Sequence, residues 1–341
     1  MTKTRSAPSV PTQHGADARR PAALAAILFT TVVWGLSFIS TKTLLVGGLT
    51  PVQVAFARHV LASAIFLALY SARHGARRAK ARRSRRKNQN PRATVPASGA
   101  VRVLIGGVLG VTVYFMLENG GLRLTSASTA SLVTGTAPVI NALVVVVLLR
   151  SRVTALQWAG IAMSCAGVYA VAQADLVSSL SGRAMLGNVL VFMSACAWVA
   201  YTMLNKPLLD HYDNLTLNTY QTLAGTLFLV PVALHDGLPV ATWGLVVWLN
   251  IIYLGAICSA LSYILYLFAL KHLGSTVVTS CLNLVPFFGV LGGAVLLGEP
   301  LSWMKGLGGL LAIAGVYLVT TQDATTRAPT AVAEGMASHA G

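Results

Sequence analysis

One stretch of this chain occurs twice. Leu122-Arg123 opens a run that passes through Pro138 and ends in Ala166-Gly167-Val168-Tyr169; 148 residues later, without a gap, Leu270-Lys271 opens a run through Pro286 to Ala314-Gly315-Val316-Tyr317. Gly160 falls on Gly308 and Leu148-Leu149 on Leu296-Leu297 in the same register. A fixed offset held this long is the mark of duplication, and it decides fold class before any local signal does. The units are long and strongly apolar, which fits a duplicated membrane half better than a solenoid.

Composition agrees. Of the 341 residues 55% are hydrophobic and only 10% charged, with mean hydropathy +0.70, where a soluble domain carries about 25% charged residues. A helix needs roughly 20 apolar residues to cross the hydrocarbon. Ten runs qualify, at about 22–46, 52–72, 101–121, 126–149, 154–174, 184–205, 215–235, 246–268, 276–297 and 301–320. The first is too long for a signal h-region and lacks a small-residue cleavage pattern, so it reads as a retained span. The expected organisation is a disordered tail 1–21, a first five-helix repeat 22–174, a second 184–320, and a disordered tail 321–341. Segment 73–100, RHGARRAKARRSRRKNQNPRATVPASGA, reads as a long basic disordered loop.

The net charge of +16 is crowded into such segments. That distribution points to anionic lipid headgroups rather than nucleic acid. Lys3, Arg5, Arg19 and Arg20, the 73–100 loop, Arg150, Arg152, Lys206, Lys271 and Arg327 share one side if ten spans alternate; the other side holds little beyond Arg123 and Arg183. Both termini are therefore expected in the cytoplasm. Because each half has an odd number of spans, the second must lie upside down relative to the first. The fold expected is an all-α integral membrane protein of ten transmembrane helices in two inverted-topology five-helix repeats. Substrate sites in such proteins lie near the midplane between halves. A second correspondence, Trp34 with Lys42 and Trp198 with Lys206, runs at an offset of 164, which requires an insertion in the first half. The basic loop is the place for it.

Polar and aromatic residues at membrane depth are the site candidates. Arg58 lies six residues into the second span, roughly 9 Å from its outer end. An ionisable group there reads as a functional site: a structural pair with Glu118, or a clamp on an anionic substrate group. Glu118 is also the candidate for proton coupling, and His59 for a relay. Trp34 and Trp198 sit 12 to 14 residues into their spans, where interfacial tryptophans do not belong; they either pack between helices or wall a pocket with Tyr114, Tyr201, Tyr263 and Tyr266. Asn141 and Asn283 offer amides for interhelical bonds or for substrate. Pro138 and Pro286 interrupt equivalent spans, as packing kinks or as hinges. Lys42 and Lys206 either snorkel to headgroups or line the path. Gly160-x3-Ser164 and Gly308-x3-Ala312 permit close helix approach, within a monomer or in a homodimer.

Cys165, Cys196, Cys258 and Cys281 lie inside apolar spans without metal spacing and read as small buried residues. No phosphate loop, zinc spacing or nucleophile elbow is present, so no metal, cofactor or enzymatic activity is expected. Glu299 reads as a turn or helix-start residue.

Several motifs in order carry a family resemblance: Trp34-Gly35 with Phe38 and Lys42, Phe56-Ala57-Arg58, Gly121-Leu122-Arg123-x-Thr125-Ser126-Ala127, Pro138, Gln157-Trp158-x-Gly160, Gly298-Glu299-Pro300 and Ala314-Gly315-Val316-Tyr317. Together they resemble EamA-type exporters of the drug/metabolite transporter superfamily. The resemblance implies a ten-helix carrier in a bacterial cytoplasmic membrane that exports amino acids or other small metabolites; relatives move nucleotide sugars. Two departures stand out: Leu149-Arg150-Ser151 replaces the Glu-containing turn in the first half, and the basic loop is long. The expected function is export of a small metabolite by alternating access. The alternatives are a flippase for a lipid-linked substrate and a non-transporting scaffold that uses the basic loop.

Overall fold

The structure, a computed structural model, describes residues 19–83, 97–149, 154–179, 182–209 and 212–318; those are helical, with no strand among them. Helix α1 is Arg20–Val46, begun by Pro21, whose fixed φ and missing N–H suit a first turn. Helix α2 is Pro51–Arg83. Helix α3 has three stretches, Ala97–Gly107, the π-helical Val108–Val113 and Tyr114–Leu124. Then come α4, Ala127–Thr134; α5, Ala137–Leu149; α6, Ala155–Ser179; α7, Gly182–Leu209; and α8, Asn214–Asp236. Helix α9 repeats the plan of α3, as Leu245–Ile252, the π-helical Tyr253–Leu261 and Ser262–Leu282. Helices α10, Val285–Leu297, and α11, Trp303–Leu318, close the chain.

Helix covers each of the ten apolar runs, and five helices are long and apolar enough to cross a membrane: Arg20–Val46, Pro51–Ala76, Gly99–Leu124, Gly182–Asn205 and Leu245–Tyr266. The interior is the reverse of a soluble protein's. Thr30, Thr31, Arg58, His59, Asn119 and Gln221 are buried, whereas Leu227, Leu245, Val295 and Leu310 are each about 70% exposed. Such an outside requires an apolar surrounding; inside, Thr30 and Thr31 bond to carbonyls one helical turn back, whereas Asn119 Oδ1 has no partner among the described residues.

Three sequence expectations need correction. Residues 73–100 are not one disordered loop: α2 continues through Arg83 and α3 begins at Ala97, with 84–96 outside the described residues. The eighth and ninth runs are not separated by a loop, because Ser262–Leu282 is one uninterrupted helix. The fourth and ninth runs are broken rather than kinked. Turns at 135–136 and 283–284, 148 residues apart, interrupt them, and Pro138 and Pro286 open the next helix instead of bending a continuous one. Near a helix start a proline forfeits no hydrogen bond. The tails 1–18 and 319–341, Arg150 and Arg152, and the side chains of Lys206 and Lys271 lie outside what is described.

Helix α1 packs on α9 and α10, while α7 packs on α3, α4 and α5. Helices α2 and α8 run antiparallel against each other, and α4 packs on α10. The two breaks meet: a Cβ on Gly135 would lie 2.3 Å from the Pro286 ring. Helices α6 and α11 cross through the small residues of the repeat. A Cβ on Gly167 would strike Gly308 O and Ala312 N, and one on Gly315 would strike Gly160 O and Ser164 N, each at about 2.5 Å. This close approach is therefore made within one chain.

Of the four cysteines only Cys258 is fully buried; Cys165 is exposed on the apolar surface, and Cys196 and Cys281 are partly covered. The expectation of four buried cysteines fails because a lipid-facing position accepts the same apolar side chain as a core one.

Candidate functional site

A small cavity lies where five helices meet. Its wall takes His59, Ala62 and Phe66 from α2, Gly110, Val111 and Phe115 from α3, Tyr201 from α7, Asn218, Gln221 and Thr222 from α8, and Ser259 and Tyr263 from α9. Its volume is about 30 Å³, room for one or two waters.

Aromatic rings brace it on both sides. Trp34 packs on Tyr263 at 5.5 Å and on Tyr266 at 5.9 Å between ring centroids. Trp198 packs on Tyr114 and on Tyr201, each at 5.3 Å. The predicted aromatic residues thus assemble, with Tyr201 and Tyr263 on the wall and Trp34, Tyr114 and Trp198 behind. Both tryptophans come from equivalent positions in the repeat; Trp34 stacks on Tyr263 and Tyr266 of the other half's π-containing helix, and Trp198 on Tyr114 of the other and on Tyr201 of its own helix. The π stretch helps fix Trp34, because its indole N–H donates to Cys258 O at 2.9 Å and Tyr253 O–H donates to Val33 O at 2.9 Å. A π-bulge frees carbonyls of this kind from the helical ladder.

Arg58 is buried, 5% exposed. Its Nε and Nη2 donate to the Ser259 hydroxyl at 3.2 and 3.0 Å, and its guanidinium carbon lies 4.4 Å from the centroid of the Phe115 ring. The expected ion pair with Glu118 is not formed. Glu118 instead accepts the Tyr114 hydroxyl at 2.5 Å, and the ion pairs among the described residues are Arg73–Asp213 and His235–Asp236. Depth along a span equated the two residues in height; their directions around the helices differ. His59 uses Nδ1 on Ala55 O at 2.7 Å, its ring 4.4 Å from that of Phe115.

Glycine contacts identify the partner of Arg58 in the repeat. A Cβ on Gly255 would meet Arg58 O at 2.8 Å, and one on Gly107, 148 residues earlier, would meet Gln221 O at 2.4 Å. Gln221 therefore occupies the equivalent place. Buried to 2%, it donates to Asn205 Oδ1 at 2.6 Å and accepts Tyr201 O–H at 3.2 Å. One half presents a charge where the other presents a neutral amide.

The remaining candidates lie elsewhere. Asn283 and Pro286 border a second, smaller cavity at the crossed breaks with Leu132, Gly135 and Thr136. Asn141 and Pro138 are half-buried on α5, away from the aromatic cavity. Lys42 does not snorkel: its ammonium donates to Leu122 O at 2.8 Å and Thr125 O at 2.7 Å, closing the end of α3. Ser259 and Asn218 escaped sequence reasoning. Their one available signal is a polar side chain inside an apolar run, which many packing residues share.

Among the described residues no cluster of three or more His, Cys, Asp or Glu side chains could hold a metal. Polar and aromatic groups gathered around a cavity, inside an apolar-surfaced helical fold, belong to an integral membrane protein. Residues 21–173 and 185–321 each match the EamA-like transporter family, and the chain belongs to that family. It is 29% identical over 299 residues to an uncharacterized transporter of Archaeoglobus fulgidus, covering 87% of this chain and 96% of that one. It is 30% identical over 296 residues to a probable terminal-alkyne amino-acid exporter of Streptantibioticus cattleyicolor, covering 86% and 92%. A probable amino-acid metabolite efflux pump of Salmonella typhimurium is 31% identical over 173 residues, covering 48% and 56%. One solved crystal structure shares the fold with a TM-score of 0.60 at 17% identity, covering 89% of this chain and 98% of its own. The protein is a multi-pass membrane transporter.

Proposed function

We propose that the chain exports a small metabolite, an amino acid or related compound, across a bacterial cytoplasmic membrane, by alternating access around the aromatic cavity. Ten transmembrane helices in two inverted five-helix halves would carry it, with both termini cytoplasmic. The observation that carries the reading is the exchange of partners between halves. Trp34 of the first half stacks on Tyr263 and Tyr266 of the second, and Trp198 of the second on Tyr114 of the first. Helices α1 and α7 likewise swap equivalent neighbours. A two-fold axis in the membrane plane produces this exchange, and the cavity lies where the halves meet. The names of the two amino-acid relatives support the substrate class.

A cavity of about 30 Å³ is too small for an amino acid. On this reading the structure corresponds to a closed form, and the halves would separate to load it. Asn141, Asn283, Pro138 and Pro286 enter this mechanism at the crossed breaks and adjoining helices, where a hinge would work. Glu118 is the candidate carrier of a coupling proton.

Counterflow of amino acids into liposomes holding the purified protein tests the reading. Each stacked aromatic pair contributes about 0.5–1.5 kcal/mol. Trp198→Ala, which loses two, is expected to slow counterflow about fivefold or more while folded yield changes less. Equal loss of flux and of folded protein would assign the tryptophan to packing alone.

A further inference from the structure

We infer that Arg58, Ser259 and Tyr263 form a carboxylate subsite, so that the transported compound carries a carboxylate and binds by it. This rests on reading the cavity as the transport site. A guanidinium is charged at any working pH, and a buried charge is costly unless it is paired and hydrogen-bonded. Arg58 is 5% exposed, yet among the described residues no carboxylate oxygen lies within 4.0 Å of it; its partners are a hydroxyl and a ring face. The nearby carboxylate, Glu118, is taken up by Tyr114 at 2.5 Å.

The neighbouring wall residues add donors. Ser259 accepts both Arg58 bonds and donates none among the described residues, leaving its O–H proton for a ligand. Tyr263 lines the same cavity, and its hydroxyl makes no hydrogen bond among the described residues. His59 donates its Nδ1–H to Ala55 O, so Nε2 of the neutral ring presents a lone pair and adds no donor. A fixed positive charge beside uncommitted hydroxyls, inside an apolar wall, selects an oxyanion. The planar, forked guanidinium favours the carboxylate geometry. Around it stand Phe115, Phe66 and Tyr201, which fit an apolar or aromatic remainder. Repeat symmetry sharpens the point. Gln221, in the equivalent place, has its amide nitrogen on Asn205 and its amide oxygen on Tyr201, so the cavity is polarised: on one side the Ser259 hydroxyl has the Arg58 charge behind it, and on the other stands a neutral amide.

The test uses the full-length protein and matched probes: apolar amino acids and 3-phenylpropionate, each beside its primary amide. Thermal stabilisation in detergent reads binding, and liposome counterflow reads transport. At least one acid is expected to stabilise the protein, with its amide about 10–100-fold weaker. Arg58→Gln should erase the acid–amide difference, and Ser259→Ala, which keeps the charge, should shrink it. Acids and amides that bind equally, or an Arg58→Gln protein that still tells them apart, would overturn the subsite, as would stabilisation by no acid. Should Arg58→Gln fail to fold, Ser259→Ala decides alone. Counterflow of amides but not acids would leave the transport reading standing and remove this one. Acid binding without counterflow of any probe would do the reverse.

Discussion

At the residue scale, charged side chains in this protein hold turns as well as back the cavity wall. The turn between α3 and α4 is clamped from two sides. Lys42 of α1 covers the last carbonyls of α3. Glu299 accepts Ala127 N at 2.7 Å, Ser128 N at 3.0 Å and Ser128 Oγ at 2.5 Å at the first turn of α4, whose own cap is Ser126 on Thr129 N. Each charge sits at the helix end whose dipole it opposes. Gly298-Glu299-Pro300 then has a physical reading. Gly298 ends α10 at φ 65°, a left-handed conformation that favours glycine, and turns the chain so that Glu299 reaches α4. Sequence alone placed Glu299 in a turn, yet could not show that it caps a helix of the other half, because nothing local encodes a contact across 172 residues. Glu299→Ala strips partners from three donors and is expected to lower stability by about 1–3 kcal/mol. Glu299→Gln, which can still accept, should cost less. Melting in detergent measures both, and equal losses would deny the carboxylate its capping role.

At the element scale, what the sequence made legible was what a fixed offset carries. The repeat at 148 pairs Pro138 with Pro286, and with them the points where the two spans are interrupted, and it pairs the small-residue faces of α6 and α11. It could not place the π stretches of α3 and α9, since one widened turn leaves an apolar run looking like any other. Nor did it fix Arg58 on Gln221: the 164-residue offset of the first spans carries Arg58 to Thr222, one residue away, and contacts at Gly107 and Gly255 set the register. The crossing of α6 and α11 is an element-level contact that is sensitive to size. A Cβ on Gly315 would lie 2.5 Å from both Gly160 O and Ser164 N, which are backbone atoms that cannot swing aside. Overpacking usually costs about 1–3 kcal/mol. Gly315→Leu is therefore expected to sharply reduce folded protein, and Gly306→Leu, on the same helix with nothing within 4 Å of its added Cβ, should not. Similar yields from the two variants would show that the helices do not meet there.

At the scale of the whole molecule, the antiparallel pair α2 and α8 carries a latch at each end. At one end Thr50 Oγ1 donates to Asp236 at 2.8 Å and Gln53 Nε2 to Gly237 O at 2.8 Å. At the other Arg73 pairs with Asp213 at 2.8 Å, with Tyr70 and Tyr220 hydroxyls 3.3 Å apart beside it. Between Asp213 and Asp236 the helix rises roughly 34 Å, about one hydrocarbon thickness, and the aromatic cavity lies between. The alternating access proposed above would need one latch open while the other holds. The Arg73–Asp213 pair is about 40% exposed on each side, so its contribution is small, about 0–1 kcal/mol. That still shifts an equilibrium between closed and open forms by as much as about fivefold. Asn218→Cys, placed on the cavity wall in a background without the native cysteines, reports opening by its reaction with a membrane-impermeant maleimide. Asp213→Asn is expected to speed that reaction severalfold from the face that carries Arg73, proposed to be cytoplasmic, and not from the other. Asp236→Asn is expected to do the converse. If either substitution raised reactivity equally from both faces, the ends would not be gates, and the cavity would communicate with solvent by local loosening rather than by a swing of one half against the other.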